Sequence, residues 1–191
     1  MMDTFIKEIE AANSIVIVGH IRPDGDCVGS CLGLYNYIID NYGDKKVRVY
    51  LQEFSKSFSL LNGVDKVLHE LDNNTYDLCI ALDSGDIDRL GEFVKYYNEA
   101  SKTVCVDHHI SNTGYGDVCY VYADKSSTSE AICTLINMDK LTKNSAECFY
   151  LGVVHDTGVF KHSNTTRETM CIAGALLEKD ARSNVIIDDT F

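Results

Sequence analysis

Short apolar runs alternate with amphipathic stretches along most of the chain. Five runs are apolar enough for buried or half-buried strands, at 14–18, 46–51, 78–82, 103–106 and 118–122. Other stretches space their apolar residues as helices do, at 1–13, 28–39, 131–136, 146–154 and 166–178. This alternation predicts an α/β fold, with a mostly parallel, open sheet of about five strands flanked by helices.

Polar side chains follow three of the predicted strands where those strands end. They are His20, Asp24 and Asp26 after the first strand, Asp83 after the third, and Asp107, His108 and His109 after the fourth, with Asp156 near the end of a predicted helix. In open α/β sheets, ligands bind outside the carboxyl ends of the strands. We therefore expect these side chains to line one crevice.

The composition fits one domain, or one domain with a fragment of another. The chain has 191 residues, of which 45% are hydrophobic, and no apolar run approaches the ~18 residues that cross a bilayer. Its eight cysteines are scattered without a CxxC pair, which favours buried thiols in a reducing compartment over disulfides or a zinc site. We expect a cytoplasmic protein with no membrane partner.

The charge narrows the class of partner. There are 17 basic and 29 acidic residues, a formal net charge of −12, which argues against binding long duplex nucleic acid through a basic surface. A small anion can still bind where metal ions offset the repulsion.

The crowded carboxylates themselves predict metal ions. Two unit charges about 4 Å apart repel by about 4 kcal/mol at an effective dielectric of 20, so such a crevice needs protons or cations. Oxygen ligands with some imidazole suit Mn²⁺ or Mg²⁺ better than a thiolate-type zinc site. Two such ions can lower the pKa of a bridging water and hold both oxygens of a displacement at phosphorus, which predicts a phosphoester hydrolase.

The motifs resemble those of the DHH phosphoesterases, a family named for the triplet Asp107-His108-His109. The stretch from His20 to Asp26 is similar to the first motif of that family, Asp83 to the second, and residues 152–158 to the fourth. The resemblance implies a Rossmann-like DHH catalytic domain over residues 1–180. It also implies that residues 181–191 lead toward a C-terminal substrate-binding domain, whose Gly-Gly-Gly-His motif this sequence lacks; alternatively, residues 183–191 dock back on the first domain.

Roles follow from the same resemblance. The implied metal ligands are His20, Asp24 and Asp83 for one ion, and Asp26, Asp83, His108 and Asp156 for the other, with Asp83 bridging. His109 would face the scissile phosphate and aid the leaving oxygen, while Asp107 would orient an imidazole. Ser30 and the Gly29 amide would support the motif loop or an anion. Arg22 either clamps a phosphate or lies over the loop.

One branch of the family has the most similar motif sequences, at Arg22-Pro-Asp-Gly-Asp26 and Asp156-Thr-Gly-Val-Phe160. These are the nano-RNases that also dephosphorylate 3′-phosphoadenosine 5′-phosphate. We expect a manganese-dependent hydrolase of short oligoribonucleotides, dinucleotides or that nucleotide, acting through a metal-bridging hydroxide. The alternatives are a family II-type inorganic pyrophosphatase, a non-catalytic nucleotide-binding fragment and a single-strand exonuclease, which small size and acidity disfavour. A homodimer is left open.

Other polar and aromatic residues have more ordinary interpretations. Neighbours on a helix diverge, so we expect His155 to pack against other side chains and not to bind metal. Asp86 and Asp88 are expected as acids at a helix N-terminus. Tyr115 is expected in packing and not in stacking on a base.

Overall fold

The computed structural model describes residues 2–191, with side chains from residue 4 onward, and it confirms the α/β prediction. The sheet has six strands, all parallel, in the order β3-β2-β1-β4-β5-β6. The strands are β1 (Ser14–Val18), β2 (Lys46–Tyr50), β3 (Val67–Leu68), β4 (Leu78–Leu82), β5 (Lys102–Asp107) and β6 (Val118–Val121). The sequence pattern missed β3, because two residues are too few to show alternation.

Helices cover both faces of the sheet. They are α1 (Met2–Ala11), α2 (Gly25–Asn41), α3 (Val94–Glu99), α4 (Thr128–Leu135), α5 (Lys143–Asp156), α6 (Arg167–Leu177) and α7 (Ser183–Thr190), with short 3₁₀ segments at Lys56–Phe58, Val64–Lys66, Ile87–Phe93 and Met138–Lys140. Met1, which the predicted first helix includes, lies outside the described residues.

The central strands are continuously apolar because both of their faces are buried. In β1, Ile15 and Ile17 join the core formed with α1, α2, α4 and α5. Val16 and Val18 join a second core, formed with α3 and the Ile87–Phe93 segment. Successive side chains of a strand point to opposite faces, so a strand covered on both sides needs apolar residues at every position.

Three helices begin earlier than their apolar periodicity predicts. Helix α2 starts at Gly25 and not at residue 28, because Asp24 caps it: its Oδ1 accepts hydrogen bonds from the Asp26 and Cys27 amides at 3.1 Å. Helices α4 and α5 likewise start three residues before the predicted 131 and 146. Polar residues occupy the first turn of each helix, where apolar spacing gives no signal.

Helices α2 and α5 touch backbone to backbone, which places the ends of both helices in one crevice. A Cβ atom on Gly29 would lie 2.5 Å from the Cys148 carbonyl oxygen and 2.8 Å from the Gly152 amide nitrogen. A Cβ on Gly152 would overlap the side chains of Ser129 and Asp26. Only glycine permits this approach.

The last helix packs against α5. Ile186 of α7 is fully buried. Just before it, Arg182 makes a two-pronged pair with Glu147 of α5, with Nε–Oε1 at 2.6 Å and Nη2–Oε2 at 2.8 Å.

Over residues 2–191, no helix is both long and apolar enough to traverse a bilayer. All eight cysteines are free thiols in this part of the chain, and six of them are buried.

Candidate metal centre

Asp83 lies where the strand order of the sheet changes direction, between β1 and β4. It directly follows β4, is 2% exposed, and has a left-handed backbone with φ 55°. Its carboxylate stands between two imidazoles, with His20 Nε2 at 3.4 Å from Oδ2 and His108 Nε2 at 3.6 Å from Oδ1. A left-handed aspartate is uncommon, and such strain is concentrated at functional sites.

The first ligand group surrounds the turn from β1 to α2. His20 is buried and donates from Nδ1 to the Ile21 carbonyl oxygen at 2.8 Å, which leaves Nε2 facing the carboxylates. Nε2 lies 3.7 Å from Asp24 Oδ1. His20 therefore lies beside both Asp24 and Asp83.

The second ligand group joins α2, β5 and α5. His108 Nε2 lies 3.1 Å from Asp156 Oδ2 and 3.9 Å from Asp26 Oδ2. Ligand atoms of these three residues all lie within 4.8 Å of one another. With Asp83 beside His108, the four residues expected for the second metal share one crevice with the first group.

Asp107 lies behind His109 and fixes its ring. The Asp107 carboxylate is fully buried and accepts hydrogen bonds from His109 Nδ1 and Asn112 Nδ2, each at 2.7 Å. The imidazole of His109 is about one-third exposed and lies with Nδ1 3.8 Å from Asp83 Oδ1. With Nδ1 bonded to Asp107, Nε2 is the ring nitrogen left for a ligand.

The N-terminus of α4 supports the carboxylates, and sequence reasoning missed this role. The Thr128 and Ser129 amides donate to the two oxygens of Asp26, at 2.6 and 3.0 Å. The Thr128 hydroxyl donates to Asp83 Oδ1 at 3.0 Å. In the sequence, the stretch Ser126–Glu130 indicates only a cap before a helix.

Burial and the crowding of negative charge shift the pKa values of the centre. Burial, with the nearby carboxylates of Asp83 and Asp156, raises the pKa of Asp26 well above its usual value. Burial alone would lower the pKa of His108, but Asp156, Asp26 and Asp83 raise it to about 10. The crevice thus favours positive charge, and its carboxylate and imidazole donors fit a pair of divalent cations.

Of the residues predicted to contact substrate, Arg22 lies at the edge of the crevice and Ser30 lies away from it. Arg22 is exposed at the edge of the crevice, with φ 56°, and its amide donates to Gln52 Oε1 at 3.0 Å. Ser30 is not brought to the crevice: it is fully buried, and its hydroxyl donates to the Cys27 carbonyl oxygen at 3.2 Å. Since α2 begins at Gly25, Ser30 lies in the second turn and not at the helix start.

The remaining polar residues are placed as follows. His155 packs between Phe58 and Phe191, with ring centroids 6.1 and 5.9 Å away, and also groups with Asp24 and Asp156 within 4.8 Å. His155 therefore both packs against aromatic rings and lies close to the centre.

Asp86 caps the Ile87–Phe93 segment, whose first turn contains Asp88, as predicted. Tyr115 donates its hydroxyl hydrogen to the Ser84 carbonyl oxygen at 2.8 Å.

The model of the DHH family, N-terminal domain, matches residues 14–153. The chain belongs to the DHH family. Among its DHH relatives, the Bacillus subtilis (strain 168) protein named bifunctional oligoribonuclease and PAP phosphatase NrnA is 33% identical, over 100% of this chain and 61% of that protein. The probable NrnA of Streptococcus mutans is 34% identical, over 93% of this chain and 56% of that protein.

Solved structures are similar to this DHH chain in fold. The crystal structure of an exopolyphosphatase-related protein from Bacteroides fragilis matches with a TM-score of 0.89 and 29% identity, over 100% of this chain and 59% of that one. A putative family II inorganic pyrophosphatase from Methanococcus jannaschii matches with a TM-score of 0.66 and 18% identity, over 92% of this chain and 58% of that one, a likeness of fold alone. The chain spans about three fifths of the length of the curated DHH relatives named above.

Proposed function

We propose that this chain carries the catalytic site of a metal-dependent phosphoesterase acting on short oligoribonucleotides, dinucleotides and 3′-phosphoadenosine 5′-phosphate. The observation that carries the proposal is the position of Asp83 between His20 and His108, at 3.4 and 3.6 Å, because a shared carboxylate is what two neighbouring cations require. The names of the relatives from Bacillus subtilis and Streptococcus mutans support the substrate class.

In this proposal Asp83 contributes to both cation sites, and each of the other residues has one role. His20, Asp24 and Asp83 would hold one cation, and Asp26, Asp83, His108 and Asp156 the other. Two bound divalent cations supply Lewis acidity and offset negative charge on the phosphoryl oxygens. We propose Mn²⁺ for both, with Mg²⁺ as the alternative, since the donors are oxygen and imidazole. Asp107 orients His109, whose Nε2 would hold a proton next to the leaving oxygen.

The wider context of the site stays a prediction. Residues 181–191 are expected to lead toward a C-terminal domain that completes substrate binding, because the family resemblance implies such a domain. We place the enzyme in the cytosol because its eight free cysteines fit a reducing compartment.

An assay of the Asp83→Asn variant tests the proposal. The wild-type chain with Mn²⁺ is expected to release mononucleotide from a 5′-phosphorylated diribonucleotide and phosphate from adenosine 3′,5′-bisphosphate. Asp83→Asn is expected to lower kcat/KM by more than about 100-fold, since losing even a supporting contact of a metal site costs about 10–100-fold. Asp65→Asn, at an exposed aspartate whose ion pair is with its neighbour Lys66, is the matched control and keeps wild-type activity.

Pyrophosphate in the same assay separates the main alternative. Hydrolysis of pyrophosphate with no turnover of either nucleotide would contradict the proposal and favour a pyrophosphatase. Turnover of nucleotides that survives in Asp83→Asn would contradict the assigned centre.

A further inference from the structure

A cavity next to the first ligand group is lined by two arginines. The cavity has a volume of about 370 Å³ and is lined by His20, Ile21, Arg22, Asp24 and Arg89. Both arginines are exposed. Among the side chains that the structure describes, from residue 4 onward, neither guanidinium has a hydrogen-bonding or ion-pair partner; the hydrogen bonds of both residues are made by the backbone. Two uncommitted cations therefore border two candidate metal ligands.

The backbone holds these two arginines side by side. The Ile21 amide donates to the Arg89 carbonyl oxygen at 2.7 Å, which ties the turn after β1 to the Ile87–Phe93 segment. Gly91 has φ 58°, and a Cβ there would lie 2.6 Å from Ile21 Cγ2, so the two segments are in close contact. Arg22 itself is held in the left-handed region by the hydrogen bond from its amide to Gln52. Residues held in this region are concentrated at active sites and ligand clamps.

Electrostatics gives these arginines a task. The chain carries a net charge of −12, and the adjoining crevice is dense in carboxylates, so a polyanionic substrate meets repulsion as it approaches. Cations bound at the centre can attract one phosphate. A second phosphate on the same substrate needs its own counter-charge, and the planar guanidinium fork matches phosphate oxygens in two-pronged fashion.

We propose that Arg22 and Arg89 form a subsite for a second phosphate of the substrate, adjacent to the phosphate that is hydrolysed. This inference rests on the proposed function and makes it more specific. The subsite selects nucleotides with two phosphates, either a nucleoside 3′,5′-bisphosphate or a dinucleotide with a 5′-phosphate, over counterparts that lack the second one.

The test compares substrates that differ by one phosphate. Adenosine 3′,5′-bisphosphate is paired with adenosine 3′-monophosphate. The 3′,5′-linked adenosine dinucleotide with a 5′-phosphate is paired with the same dinucleotide without it. In Arg22→Gln and Arg89→Gln, the wild-type ratio of kcat/KM within a pair is expected to fall by about tenfold or more, the size of one charge-assisted hydrogen bond. Arg→Lys at each position restores part of the ratio because it keeps the charge. Arg48→Gln is the control, since Arg48 is also exposed but lines a separate cavity; it leaves the ratio unchanged.

A binding measurement makes the test independent of turnover. Isothermal titration with adenosine 5′-monophosphate and with adenosine is expected to show a preference for the nucleotide that both Gln variants lose. A ratio that falls in either substrate pair supports the subsite, and the pair that responds identifies the source of the phosphate. Equal losses for both members of each pair, or no loss, would overturn it. If the wild type turns over no substrate, the proposed function fails, and the titration alone decides the subsite.

Discussion

Among single residues, Thr128 shows that the centre depends on groups that bear no charge. Its amide and hydroxyl donate to Asp26 and Asp83, respectively, so one residue supports both ligand groups. All of these contacts are fully or almost fully buried. A buried carboxylate that loses a donor is free to rotate away from its metal-binding geometry.

We expect Thr128→Val to weaken divalent-cation binding by about 10–100-fold, as is usual when a supporting contact of a ligand is lost. Thr128→Ser keeps the hydroxyl and restores most of the affinity. The measurement is titration of the metal-free protein with Mn²⁺. Thr134→Val is the control on the same helix, because that hydroxyl donates to the Ala131 carbonyl oxygen and not to the centre. Equal affinity in Thr128→Val and wild type would contradict the role.

The sequence identifies residues that line the crevice but not the groups that support them. Asp83 and His108 each follow an apolar run, and a pattern of that kind is visible locally. Thr128 lies 102 residues from Asp26, and only the packing of α4 against α2 makes the contact. The position of Arg89 next to Arg22 could not be predicted for the same reason, because nothing near Arg89 in the sequence indicates that its segment contacts the turn after β1.

Among the elements, α7 is held on the domain in part by the buried side chain of Ile186 and by an ion pair at its N-terminus, between Arg182 and Glu147. Glu147 is 3% exposed and accepts both prongs of Arg182 as well as the Arg182 amide at 3.1 Å. Burial alone would raise the pKa of Glu147, but Arg182 lowers it below its usual value. A lowered pKa means that the pair stabilises the fold above the carboxyl's unfolded pKa, and that this stability is lost as pH falls through the folded pKa.

Glu147→Gln is therefore expected to lower the free energy of unfolding by about 1–2 kcal/mol at pH 7, a value reduced from that of buried pairs because Arg182 is nearly half exposed. The difference from wild type shrinks as pH falls below about 4.5, the usual pKa of the group. Urea unfolding at several pH values measures it. Glu99→Gln, at an exposed position, controls for the loss of charge. A difference that persists unchanged at low pH would contradict the linkage.

Element types were predictable from periodicity, whereas element ends and docking were not. Helix α2 begins at Gly25 because Asp24 caps it, and the cap belongs to the same motif that carries the chemistry. For residues 183–191 the apolar pattern allowed two outcomes, and the burial of Ile186 depends on a partner surface on α5 that the local sequence does not reveal.

For the whole molecule, we expect that a dense set of carboxylates in a chain of net charge −12 couples divalent-cation binding to stability. A ligand that binds only the folded state stabilises it by about 2.7 kcal/mol at 100 times its Kd. In a chain of this size that corresponds to a rise in Tm of about 5–10 °C.

We expect Mn²⁺ to raise the Tm of the wild type by this amount and EDTA to reverse the rise, as followed by scanning calorimetry. Asp83→Asn should show a much smaller rise, because it loses the carboxylate that lies between the two ligand groups. Asp65→Asn serves as the control again. The same rise in Asp83→Asn as in wild type would locate the stabilising cation elsewhere on the acidic surface.

The fold class was predictable from the sequence, but the strand order was not. Apolar runs identify strands one at a time, while pairing of β1 with β4 joins segments more than 60 residues apart and depends on the whole packed sheet. That pairing decides the chemistry, because it brings the end of β1 next to Asp83.

The bare contact between Gly29 and Gly152 has a consequence for how mutations distribute over the protein. Neither residue has a functional group, yet each keeps two distant parts of the chain at a separation that no side chain would allow. In a saturation mutagenesis experiment these two positions would tolerate as few replacements as the acids and imidazoles themselves. A map of mutational sensitivity would therefore mark Gly29 and Gly152, through the space they leave and not through a side chain.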